Sequence, residues 1–300
     1  IVGAILRGMG DSKHPFVFIS IAAALNVVLD ILFVMVLDFG AGGAALATVI
    51  SQVVSFVCCT FFLLKHKVEF SLSIAWKDFV CWDYSMLSDL VKLGAPMALK
   101  GASVQFSKLF VNSWINSYGV EVSAFAGIAN KVSSTANLVS NAMNTAWSTM
   151  VGQNIAAKEY NRVTKILLQL AAITLIIATV CTIGIIAFPE VIFGLFTREN
   201  AVLTIAPGYV PIAVLLFFGS ALRSCMNALI NGSGNYEVNF ITAILDGIVL
   251  RMGLAILFGL ILDMKYYGFW LGDAIAGFTP FWIGLVFYLT GQWKKNSNRT

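Results

Sequence analysis

Charge is scarce in this sequence. Only 11% of its 300 residues are Asp, Glu, Lys or Arg and 59% are hydrophobic, against about 25% charged and 45 to 50% apolar in soluble domains. That balance excludes a water-soluble globular chain, and no nucleic-acid partner is expected. Metal-ligating residues are equally sparse. Two histidines (His14 and His66) and five cysteines (Cys58, Cys59, Cys81, Cys181, Cys225) show no CxxC spacing, so no zinc site is expected and the cysteines read as small apolar fillers. No phosphate loop is present at Gly8, because Met9 follows where Lys and Ser or Thr would be needed. No signal-peptide pattern opens the sequence. Its first residues, Ile1-Val-Gly-Ala-Ile-Leu6, read as the last turns of a helix already under way, so further chain upstream is expected.

What remains is apolar sequence in long runs. Crossing a bilayer takes about 20 mostly apolar residues, and eight such runs lie near 16–37, 43–64, 90–116, 122–150, 166–188, 202–226, 238–262 and 268–290. The expected fold is therefore an all-α polytopic membrane protein. The run at 122–150 is the weakest because it is rich in Ser and Asn, whereas 166–188 is uniformly apolar and expected to face lipid. Lys and Arg concentrate in alternate loops, which places the first loop (Arg7 to His14) and the C-terminal tail with Lys294, Lys295 and Arg299 in the cytoplasm of a cell membrane.

The first complete run contains an expensive pair. Asn26 and Asp30 lie one helical turn apart, on one face, and an ionisable group at membrane depth costs roughly 2.5 to 3.5 kcal/mol on insertion scales. The chain turns at Phe39-Gly-Ala-Gly-Gly43 and returns with Thr48, Gln52 and Ser55 as a narrow polar stripe. Counted from that turn, Asp30 and Thr48 lie at similar depths, on the order of 12 to 15 Å. Asn26, Asp30 and Thr48 are thus expected to share one pocket, with no cation on the hairpin to neutralise the carboxylate.

Residues 65–89 alternate charge with aromatic rings and read as an amphipathic cytoplasmic linker. It divides the chain into 1–64, the linker, 90–290 and a tail at 291–300. Beyond it, Gln105, Lys108 and Asn112 recur at helical spacing, and the next helix carries Asn130, Ser134, Asn137, Asn141, Asn144 and Ser148 along one face. Such a face either bonds neighbouring helices or walls a water-filled cavity. Gln105, Lys108, Asn112, Asn130, Asn137, Asn141 and Arg223 are the candidate substrate-cavity residues. Asp246, Arg251 and Asp273 are expected to join Lys100, Lys108 and Lys131 in a salt-bridge network; the alternative is that Lys108 contacts substrate, or repels cations so that this part of the protein favours neutral or anionic compounds.

An internal repeat joins the two ends. Leu6-Arg-Gly-Met-Gly10 and Leu222-Arg223 with Gly232-Ser-Gly234 each place a Leu-Arg pair late in a helix, then a Gly-x-Gly turn. Each is followed by a hairpin closed at a glycine, Gly40 in one and Gly268 in the other. Repeats of this kind build many transporters.

Leu6-Arg-Gly-Met-Gly-Asp-Ser-Lys-His-Pro15, Asn26, Asp30, Gly42-Gly-Ala-Ala-Leu-Ala-Thr48, Leu93-Gly-Ala-Pro96 and Met150-Val-Gly-Gln-Asn154 together resemble the multidrug and toxic compound extrusion (MATE) transporters. The resemblance covers nearly the whole sequence. It implies two pseudo-symmetric bundles of six helices and alternating access driven by Na⁺ or H⁺, with no other cofactor. This chain would hold the tip of the fourth helix, the fifth and sixth, and a complete six-helix C-terminal bundle, as a monomeric transporter in the bilayer. In the branch that resembles DinF, the coupling site uses an Asn and an Asp on the fifth helix and a Thr on the sixth, which match Asn26, Asp30 and Thr48; Na⁺ or H⁺ would bind there with an acid from the first helix. The branch that resembles NorM uses acids on helices seven, eight and ten, where this sequence has Lys100, Lys108, Lys131 and Arg223.

The function so implied is efflux of amphipathic small molecules. A flippase of lipid-linked precursors has related architecture and would need a large cationic cavity. An intramembrane enzyme would need a nucleophile and base at membrane depth, yet both histidines fall in predicted loops; a purely structural subunit gives Asn26, Asp30 and Thr48 no reason to share a depth.

Overall fold

The computed structural model describes residues 2–66 and 83–294, and among these every regular element is helical. The elements are α1 (Val2–Gly8), α2 (Lys13–Val36), α3 (Gly40–Lys65), α4 (Tyr84–Asn116), α5 (Val120–Ala156), α6 (Tyr160–Ala187), α7 (Pro189–Gly194), α8 (Asn200–Leu203), α9 (Ala206–Gly232), α10 (Tyr236–Ile261) and α11 (Lys265–Leu289). Each of the eight expected runs falls in a long helix. Six of the long helices are apolar enough throughout to cross a membrane, whereas α4 and α5 are not among them, because Lys, Asn and Ser interrupt their apolar faces. The protein is a multi-pass membrane protein.

Two compact units divide the chain, Ile1–Asp83 and Tyr84–Thr300. Helix α4 begins at Tyr84, so residues 84–89, read from sequence as linker, are its first turns. The remaining linker residues 67–82, and Lys295 and Arg299 of the tail, lie outside the described residues.

The first unit is a helical hairpin, α2 against α3, preceded by the short α1. Gly10 takes φ +95° at the turn into α2, where a side chain would be strained. Beyond Asp30 the helix widens into a π turn over Ile31–Val36. The hairpin closes tightly at Gly43, where an added Cβ would lie 3.1 Å from the Phe33 carbonyl carbon.

Six long helices form the second unit around α9. In its most apolar stretch α9 is 61% buried, compared with 22% for α6. Its glycines, alanines and serines let neighbours approach closely, as membrane helices require in the absence of a hydrophobic drive between them. Helix α6 is not uniformly lipid-facing. Val163, Ile166, Leu167, Leu170 and Thr174 are buried against α9, and only the opposite face, including Leu168, Ile176 and Val180, is exposed. One end of the unit is closed by an edge-to-face aromatic cluster: Tyr209 lies 5.1 Å from Trp270 and 5.4 Å from Phe125 between ring centroids. The other end holds Trp293, packed edge-on to Tyr160 at 5.5 Å and stacked on Tyr288 at 5.9 Å.

Candidate functional sites in the two hairpins

In the first unit, Asn26 Nδ2 donates to Thr48 Oγ1 at 3.5 Å, and the Thr48 hydroxyl donates to the Ala44 carbonyl at 3.0 Å. Counting residues from the turn sets Asp30 opposite Thr48; the structure sets Asn26 there instead, one turn further from the loop. Asn26, Thr48, Ser51, Gln52 and Ser55 line a pocket of about 410 Å³. Asp30 lies one turn beyond Asn26 on α2, outside that lining. Its Oδ1 is buried and has no hydrogen-bond partner among the described residues. A buried carboxylate oxygen without a donor is costly to keep, and a proton or a cation would satisfy it.

The second unit repeats this hairpin 225 residues later. Leu29, Ile31, Leu32 and Phe33 recur as Leu254, Ile256, Leu257 and Phe258, and Leu37-Asp38 with Gly43 recurs as Leu262-Asp263 with Gly268. The geometry repeats too. Asp38 and Asp263 take φ of 51° and 49°, and the amides of Phe39 and Met264 donate to the carbonyls of Phe33 and Phe258 at 2.9 and 3.0 Å. Gly43, not Gly40, is thus the counterpart of Gly268.

In this register Arg251 takes the place of Asn26, Asp273 that of Thr48, and Ala255 that of Asp30. The same position that carries a neutral hydrogen bond in the first hairpin carries an ion pair in the second. Arg251 donates to Asp273 and, at 2.9 Å, to Asp246 Oδ1. Arg251 and Asp246 are 2% and 1% exposed. Residues five apart on an α-helix point about 140° apart, so Asp246 and Arg251 share a side only because a π turn spans Leu245–Leu250.

The salt-bridge network thus differs from the one expected, because the guanidinium, with its forked donors, takes both carboxylates. Lys100 Nζ instead donates to Asn227 Oδ1 at 2.6 Å. Neither Lys108 nor Arg223 has an ion-pair partner within 4 Å among the described residues.

Lys108, Asn130, Asn137 and Arg223 meet around one cavity of about 60 Å³. Gln105, Asn112 and Asn141 do not line it; Gln105 and Asn141 are exposed. The polar face of α5 does both things weighed above. Toward one end Asn130 and Ser134 line the cavity, and further along Asn144 Nδ2 donates to the Ser224 carbonyl at 3.0 Å. Asn137 serves both, accepting from Ser220 and, at 3.5 Å, from Arg223. Sequence reasoning missed Tyr209, whose hydroxyl lies 3.3 Å from Ser133 Oγ in the cavity wall, and missed Trp270. Both sit in apolar runs where an aromatic residue carries no polar signal.

These sites can be compared with those of known proteins. A protein of Bacillus subtilis described as "Probable multidrug resistance protein YpnP" is 30% identical over 294 residues, 98% of this chain and 64% of its own length. The "Probable multidrug resistance protein NorM" of Thermotoga maritima is 26% identical over 306 residues, 99% of this chain and 64% of its own length. This chain therefore spans a little under two thirds of these relatives. Among solved structures, a point mutant of the Vibrio cholerae MATE transporter VcmN matches with a TM-score of 0.84 at 20% identity, over 96% of this chain and 64% of that one. A MATE structure in the bent conformation matches with 0.82 at 24%, over 98% and 65%. The MatE family model covers residues 96–257, more than half of the sequence and the part that carries Lys108, Arg223 and Arg251, and the chain accordingly belongs to the MatE family.

Proposed function

We propose that this chain is part of a secondary active exporter that couples inward movement of H⁺ or Na⁺ to outward movement of an amphipathic small molecule by alternating access. The observation that carries this reading is Asp30. Its Oδ1 is buried without a donor among the described residues, one turn from the Asn26 to Thr48 contact between helices. Ion binding there satisfies the oxygen and removes or balances the charge; release restores it. The two states differ in their cost inside the membrane, and only such a differential interaction lets an ion shift a conformational equilibrium.

Three narrower assignments accompany it. The coupling set Asn26, Asp30 and Thr48 fits the DinF-like branch, the transporter works as a monomer, and the Lys and Arg bias of the loops puts the C-terminus in the cytoplasm. The flippase reading is weaker, because the cationic cavity of the second unit, about 60 Å³, suits one small charged group rather than a pyrophosphate and its sugar.

Dye efflux from energised vesicles carrying the whole protein tests the proposal. Asp30→Asn keeps the shape and removes the titratable oxygen, so gradient-driven efflux should be lost at unchanged expression. Efflux at the parental rate in that variant would refute the role assigned to Asp30.

A further inference from the structure

We propose that the cavity of the second unit is an anion site, taking the carboxylate, sulfonate or phosphate group of an amphipathic molecule, with Lys108 and Arg223 as its counter-charges. That this anion is the exported cargo rests on the exporter reading; that the cavity binds an anion does not.

Lys100, Lys108, Arg223 and Arg251 are the cations of this region, and Asp246 and Asp273 are its carboxylates. Both carboxylates are taken by Arg251. In the repeat register Arg251 replaces Asn26, so the second hairpin carries its own fixed cation at the position where the first has a neutral amide. This explains what the acids are for, and it leaves Lys108 and Arg223 in the cavity wall with no ion-pair partner within 4 Å among the described residues. A purely structural network would have paired them, since an ammonium or guanidinium at membrane depth otherwise has little to balance it.

The neutral groups around the cavity suit the same ligand. The Tyr209 and Ser133 hydroxyls and the Asn130 amide line it and can donate. Among the described residues Arg223 makes one long contact, to Asn137 at 3.5 Å, which leaves most of its fork available to an oxyanion. Asp273 is the carboxylate in the lining and is already bonded to Arg251. Leu216 and Trp270 supply an apolar wall for the body of the molecule. The volume, about 60 Å³, fits one small oxyanion group, and exposed Asn130 and Ser134 mark the mouth. A cationic group would meet the Lys108 ammonium and the Arg223 guanidinium, neither of them ion-paired within 4 Å among the described residues.

The test uses the whole protein in phosphatidylcholine nanodiscs with no ion gradient. Two dyes of one ring system and opposite charge are compared by fluorescence anisotropy: anionic sulforhodamine B and cationic rhodamine 6G. Lys108→Met should weaken sulforhodamine B about tenfold or more, as expected for loss of a charged hydrogen-bonding partner, and leave rhodamine 6G no weaker. Lys108→Arg should restore most of the loss, and Arg223→Gln should reproduce the Lys108→Met effect. Sulforhodamine B affinity within about twofold of the parent in both Lys108→Met and Arg223→Gln, or parallel weakening of both dyes, would overturn the proposal. Adding phosphatidylglycerol distinguishes the source of the anion. Competition that disappears in Lys108→Met identifies a lipid headgroup; absence of competition, with the charge selectivity intact, identifies a soluble amphipathic anion. The two readings fail separately. Charge-selective binding without gradient-driven efflux would sink the exporter alone, and efflux without charge-selective binding would sink the anion site alone.

Discussion

Replacing Arg251 by Met removes the cation of a buried triad and leaves two carboxylates facing each other. The parent makes bonds to Asp246 and Asp273, and Arg251 and Asp246 are 2% and 1% exposed. Breaking a buried pair by deleting one partner costs about 3 to 5 kcal/mol. For a unit of some 200 residues, 1 kcal/mol corresponds to about 2 to 4 °C in Tm, so Arg251→Met should lower Tm by roughly 6 to 20 °C. Removing all three charges (Asp246→Asn, Arg251→Met, Asp273→Asn) leaves no member of the triad as an unpaired ion. It should recover most of that loss, because neutral replacement of a whole buried triad is often tolerated. The assay is thermal unfolding of the whole detergent-solubilised protein, read by size-exclusion fluorescence at a fixed heating rate, since unfolding of such a protein is kinetically controlled. A single Arg251→Met variant that melts within about 2 °C of the parent would refute the triad as a structural tie. A triple variant no more stable than the single one would refute the unpaired-carboxylate argument.

Two further outcomes follow from local geometry. Gly268→Val puts a side chain on the Phe258 backbone carbonyl, where even a Cβ has no room; steric overpacking of this kind costs about 1 to 3 kcal/mol, and a matching drop in Tm is expected, whereas exposed Gly101→Ala should have little effect. At the first turn, burial alone would raise the Asp11 carboxyl, but the side-chain and backbone hydrogen bonds from His14 outweigh it and hold the group below its ordinary value of 3.8. A depressed folded-state value stabilises above the unfolded one and is lost as pH falls through it. The Tm gap between parent and Asp11→Asn should therefore persist at about pH 5 and close below about pH 4; a gap unchanged at lower pH would contradict the assignment.

Much of the fold was legible because membrane spans are written in composition. Six of the eight helices follow from apolar length alone, and counting turns on either side of a short loop puts Asp30 beside Thr48, where the structure has Asn26. The polar face of α5 was legible as a face, but its periodicity could not say which part would meet α9 and which would meet the cavity. Arg251 was harder. Asp246 and Arg251 are five residues apart and look unrelated on an ideal helix, and only the π turn at Leu245–Leu250 brings them together. One signal was available. Aligning Leu29-Asp-Ile-Leu-Phe33 with Leu254-Ala-Ile-Leu-Phe258 places Arg251 opposite Asn26 and Asp273 opposite Thr48, and so predicts the pair. Tyr209 and Trp270 offered no such signal, since a buried ring in an apolar helix looks the same whether or not a cavity lies beside it.

In the proposed function the first hairpin holds an exchangeable ion at Asp30, whereas the second holds a fixed one in Arg251. The most direct measurement is ion binding to the whole protein in nanodiscs without substrate, recording proton uptake and Na⁺ binding for the parent and for Asp30→Asn. The parent should bind one of these ions, and Asp30→Asn neither at the same site. Equal ion binding by the two proteins would contradict it.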